Sequence, residues 1–140
     1  MGGCCGGKTI LLWPCSGGAD VAEIADRAAR KLSKEGFGAM SCLAGIGAGI
    51  SGFIESAKGA DENITIDGCP IACARKNLEK IGLTPKSFVV TEMGFEKFKS
   101  DANDASVEKA CSVIRSNKTE KSAGNAGRIS GGGCSCGRKC

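Results

Sequence analysis

The chain has 140 residues, among them 22 Gly, 10 Cys, no His and no Tyr. That length favours one domain. Without His the chain lacks the commonest general base near neutral pH and the commonest nitrogen ligand, so a metal site here must use thiolate or carboxylate. The net charge of +4 sits at the end: from Arg115 onward six basic residues face one acidic residue, giving +5 and leaving −1 on residues 1–114. A nearly neutral body without a basic stripe among aromatics predicts no nucleic-acid partner.

The opening Met1-Gly2-Gly3-Cys4-Cys5 has the look of a lipidation signal, but Gly6 stands where Ser or Thr is expected. The apolar run Thr9 to Pro14 is too short for a signal peptide, and no run of about 18 apolar residues exists to span a membrane. A cytoplasmic location follows as the expectation, with thiols kept reduced and free to bind metal or do redox work.

The run from Thr9 to Cys15 reads as a buried parallel strand, with Pro14 tolerated only at its end. Asp20 caps a helix whose apolar face is Val21, Ile24, Ala25, Ala28, Ala29 and Leu32, stopping at Gly36. Phe37 to Leu43 reads as a second strand. The glycine-rich stretch 44–52 predicts a late-starting helix through Phe53 to Lys58, because each glycine costs roughly 1 kcal/mol of helix propensity. Asn63 to Asp67 is a third strand, Gly68-Cys69-Pro70 a turn, and Ile71 to Ile81 a helix ended by Gly82. Ser87 to Thr91 is a fourth strand and Ser106 to Asn117 a final helix with Val107, Ala110, Cys111 and Ile114 on one face.

This β-α alternation predicts an α/β three-layer sandwich, with a mostly parallel four-stranded sheet in the order 2-1-3-4, Rossmann-like or flavodoxin-like. The expected organisation is a flexible Gly/Cys leader over 1–7, an α/β domain over 8–118, and a flexible basic Cys-rich tail over 119–140.

Cys15, Cys42 and Cys69 then fall at the carboxyl ends of the first three strands, the edge where open α/β sheets bind ligands. Adjacent strands lie about 4.8 Å apart, and Cys73 follows Cys69 by about one helical turn. Four thiolates on one rim are the all-sulfur set that zinc accepts readily, so Cys15, Cys42, Cys69 and Cys73 are the expected ligands of a Zn(2+) ion. Turn N–H groups near Gly17 and Gly68 are expected to donate to the sulfurs, and the helix beginning near Ile71 to point its positive end at the site. Cys111, on an apolar helix face, is expected to be core. Any one of these cysteines alone would read as a buried apolar side chain.

The same residues carry a family resemblance. Cys15-Ser16-Gly17-Gly18, Cys42 and Asp67-Gly68-Cys69-Pro70-Ile71-Ala72-Cys73 make the chain similar to the DGC family of bacterial and archaeal proteins over roughly residues 8–115. That resemblance implies zinc binding by four cysteines and no established reaction.

Three other features compete. Cys69 and Arg75 fit the Cys-x5-Arg phosphate loop of cysteine phosphatases and arsenate reductases. The loop has Pro70, no glycine, and Lys76 where a hydroxyl residue is usual. A thiol-based redox or Cys-nucleophile enzyme is therefore the alternative function, with Asp67 the one candidate proton acceptor. Gly47-Ala48-Gly49-Ile50-Ser51-Gly52 fits the dinucleotide fingerprint G-x-G-x-x-G, but the stretch is glycine-rich throughout and reads better as close packing. Cys134, Cys136 and Cys140 sit beside Arg138 and Lys139 on the tail, where basic neighbours favour thiolate and suit capture of a soft metal, alone or with Cys4 and Cys5.

Overall fold

A computed structural model describes residues 7–117. The expected leader and tail fall mostly outside those residues. The elements are β1 (Ile10–Pro14), α1 (Asp20–Lys34), β2 (Ala39–Met40), α2 (Leu43–Gly47), α3 (Ser51–Gly59), β3 (Glu62–Asp67), α4 (Cys73–Lys80), β4 (Lys86–Val89), a 3-10 turn (Val90–Met93) and α5 (Asp104–Ser116). The strands form one parallel sheet in the order β2-β1-β3-β4, as the alternation predicts.

Period-two alternation in β1 sends its side chains to two cores. Ile10 and Leu12 join Ile64, Ile66 and Phe88 under α1 and α5. Trp13 packs with Ile46, Ala57 and Leu78 under α2, α3 and α4. Helices thus cover both faces, and β1 reads as an apolar run because neither of its faces meets water. α1 buries Val21, Ala22, Ile24, Ala25, Ala28, Ala29 and Leu32, and each fully buried Val, Ile or Leu is worth about 1.5–3 kcal/mol. Trp13 Nε1 donates to Asn63 Oδ1 at 2.8 Å, so the indole's one polar group is matched inside its core.

Several boundaries differ from the sequence reading. The second strand is two residues long, not Phe37 to Leu43, and Cys42 is the N-cap residue of α2. The glycine-rich segment forms two short helices separated at Gly49, whose φ of 71° suits glycine. Gly45 is required for packing: a Cβ there would stand 2.3 Å from the Phe53 ring. α4 begins at Cys73 rather than Ile71, because Ala72 is left-handed at φ 54° and ψ 52°. The fourth strand ends at Val89 and passes into the 3-10 turn. α5 starts at Asp104, two residues early, because the Asn103 side chain accepts the Ser106 N–H at 2.9 Å.

Candidate metal centre

The carboxyl ends of β1, β2 and β3 share one rim, since the strands are parallel and adjacent. Cys15 immediately follows β1, and its backbone N–H donates to Ile66 O at 3.0 Å, tying it to β3. Its sulfur accepts the Gly68 N–H at 3.2 Å and is also served by the Gly17 N–H. Burial pushes the Cys15 thiol up, and these two donors oppose that shift. The donors are the two turn glycines expected from the sequence.

Gly68 holds the β3 turn against α1. A Cβ there would lie 2.7 Å from Ala22 N and 2.9 Å from Ala22 Cα, so only glycine lets the turn come this close. Cys69 follows, half-buried, and Cys73 opens α4, exposed. The two are not one helical turn apart, as the sequence suggested. Residues 69–72 form a turn closed by Ala72 N–H to Cys69 O at 3.0 Å, and the left-handed Ala72 separates that turn from the helix.

Asp67 fixes this geometry. Its carboxylate, 1% exposed, accepts the N–H groups of Ala74 at 2.7 Å and Arg75 at 3.1 Å. Burial raises its pKa, and the two N–H donors pull it down. α4 opens at Cys73, a residue of both cavities at the rim, and two of its first-turn N–H groups are taken by this internal carboxylate. A cation does stand beside a candidate sulfur: Lys97 Nζ lies 3.8 Å from Cys69 Sγ.

Two cavities adjoin the rim. The larger, about 970 Å³, is lined by Cys15, Cys42 and Cys73 together with Arg30, Lys34 and Asn77. The smaller, about 250 Å³, is lined by Cys15, Cys69 and Cys73 together with Lys97 and Phe98. Cys15 and Cys73 are common to both. The structure thus brings all four cysteines to one edge, with Cys42 on one side of the Cys15–Cys73 pair and Cys69 on the other. Among the described residues, no three Cys, Asp or Glu side chains already form a group that could hold a metal ion.

Arg75 lines neither cavity; its Nε pairs with Glu79 at 3.5 Å along α4. Cys111 is buried in the core, as expected, and burial pushes its thiol up to about 11. Cys4, Cys5, Cys134, Cys136 and Cys140 lie outside the described residues.

Lys97 and its loop were missed by the sequence reading. Asp20 holds them: its carboxylate accepts the Phe98 N–H at 2.7 Å and the Ser100 N–H at 2.8 Å, beyond its expected place at the start of α1. An acid opening a helix gives no sign in sequence of a partner 80 residues away.

The profile of the DGC domain matches residues 11–114. The chain is also similar to the anaerobic and virulence modulator AnvM of Pseudomonas aeruginosa, at 30% identity over 88 residues, which is 62% of this chain and 67% of that protein. No solved structure matches. No helix among the described residues is long and apolar enough to cross a membrane.

Proposed function

The chain belongs to the DGC domain family, and on that premise we propose that it binds a zinc ion through the thiolates of Cys15, Cys42, Cys69 and Cys73, as a metal-handling or metal-sensing protein. The observation that carries this reading is the shared rim: Cys15 and Cys73 face both cavities, and the remaining two cysteines flank them. The donor set suits zinc, which takes four thiolates in structural sites. Peptide N–H groups on Cys15 Sγ supply the outer hydrogen bonds such a sulfur needs. Four thiolates around Zn(2+) carry a net −2, and Lys97 supplies countercharge beside Cys69.

The proposal requires the cysteine side chains to draw together as the ion binds. With all four positions filled by protein sulfur, the ion has no open site for substrate, which favours binding over catalysis. A modulator among the relatives accords with a sensing role. The test is the zinc content of purified protein after single Cys→Ser changes, in the full chain and in a chain whose tail cysteines Cys134, Cys136 and Cys140 are also Ser. Each of Cys15→Ser, Cys42→Ser, Cys69→Ser and Cys73→Ser should lower zinc retention, and Cys111→Ser should not. Full retention in all four would defeat the proposal.

A further inference from the structure

The smaller cavity has features that zinc binding does not use. Its rim carries Ile71, 56% exposed, and Phe98, 75% exposed, two of the large apolar side chains left in solvent among the described residues. Phe98 sits at φ 66°, a left-handed conformation costly for a bulky aromatic, and Asp20 enforces it through the Phe98 and Ser100 N–H groups. The same loop sets Lys97 Nζ 3.8 Å from Cys69 Sγ and 5.1 Å from the Phe98 ring centroid. Cys15, Cys69 and Cys73 are among the residues that line the same cavity. A positive charge, two apolar lips and an accessible thiol make a receptor for a small organic group bearing an anion.

We propose that Cys69 is a site of reversible S-thiolation by low-molecular-weight disulfides that carry an anionic group, with Lys97 binding the anion and Ile71 and Phe98 covering the organic part. The Cys69 thiolate attacks one sulfur of the disulfide R–S–S–R. The new Cys69–S–S–R bond forms, the old S–S bond breaks, and R–S⁻ leaves with the electron pair. The disulfide is the oxidant, and a second thiol reverses the step by the same exchange. This inference stands without the zinc reading. Where that reading holds, a thiolated Cys69 has no thiolate to give an ion, so the two states exclude each other at that sulfur.

The test uses reduced, chelator-treated full-length protein and two probes, the anionic disulfide dithiobis(nitrobenzoate) and the neutral dithiodipyridine, with adducts located by peptide mass mapping. Among Cys15, Cys42, Cys69 and Cys73, Cys69 should take the anionic probe first. Lys97→Gln should slow that reaction roughly fivefold, the effect of one partly screened charge at close range. Its rate with the neutral probe should change less, and Lys97→Arg should restore the anionic rate. An equal loss with both probes would mean that Lys97 only props the loop, and no loss with either would remove its role; both results overturn the inference. Zinc content measured on the same variants keeps the two readings apart. Charge preference at Cys69 in a protein that holds no zinc refutes only the zinc reading, and zinc without charge preference refutes only this one.

Discussion

The carboxylate of Asp67 accepts the backbone N–H of Ala74 at 2.7 Å, from seven residues back along the chain. That bond joins the end of β3 to the first turn of α4 and holds the intervening turn, with Cys69 and Cys73 at its two ends. It also replaces a conventional cap, since Ala72 at the N-cap position has no side chain able to accept.

Asp67→Ala should therefore destabilise the fold by about 1–3 kcal/mol, the cost of leaving helix N–H groups unmet at a buried site. Asp67→Asn, which keeps one acceptor oxygen, should cost less. Thermal or urea unfolding followed by circular dichroism checks the order. Equal stability of Asp67→Ala and wild type would refute the capping role.

Gly68→Ala should be destabilising, by about 1–3 kcal/mol, because its methyl meets backbone atoms of α1 that cannot step aside. The nearest are Ala22 N and Cα. The same change should push Cys69 away from its position and lower zinc retention, whereas Gly18→Ala, with open space around it, should do neither. Unfolding curves and metal content on both variants decide it.

Asp20 gives the loop over the thiols a pH dependence. The Phe98 and Ser100 N–H groups hold its carboxyl below the usual carboxylate range. A group whose folded pKa is depressed contributes stability above its unfolded value and loses it as the pH falls through the folded one. Amide protection of Phe98 and Ser100 should persist at neutral pH and disappear in acid below the ordinary carboxylate range. Asp20→Ala should abolish it at every pH. Hydrogen exchange by NMR reads both, and protection unchanged in the variant would contradict the anchor.

Cys111 should behave unlike the rim thiols. Burial pushes it up to about 11, so it stays protonated at neutral pH and should resist iodoacetamide until denaturant is added. Cys111→Ala should cost about 1–2 kcal/mol as a small loss of packed volume and leave metal content untouched. Labelling of Cys111 in the folded protein would contradict its placement.

Much of the fold was legible because apolar periodicity decides it. The run Thr9 to Pro14 and the face Val21, Ile24, Ala28 and Leu32 each have one good home, a strand covered on both sides and a helix laid on it. The ends of β1 and β3 followed, and with them the common edge for Cys15 and Cys69, whereas Cys42 comes to that edge two residues past β2, as the N-cap residue of α2. What was illegible depends on contacts distant in sequence or on backbone conformation. β2 is an edge strand only two residues long, too short to leave a pattern. The late start of α4 comes from the left-handed Ala72 and from Asp67 reaching across to Ala74. Lys97 reaches Cys69 only because Asp20 fixes its loop, and nothing near residue 97 signals that.

The proposed zinc site requires four cysteine sulfurs around one metal ion. Zinc K-edge X-ray absorption on the purified full-length protein, and on the chain lacking tail cysteines, reads that coordination. The second protein should hold one zinc per chain, with four sulfur neighbours at about 2.3 Å. Zinc absent from that protein, or bound mainly by oxygen, would contradict it.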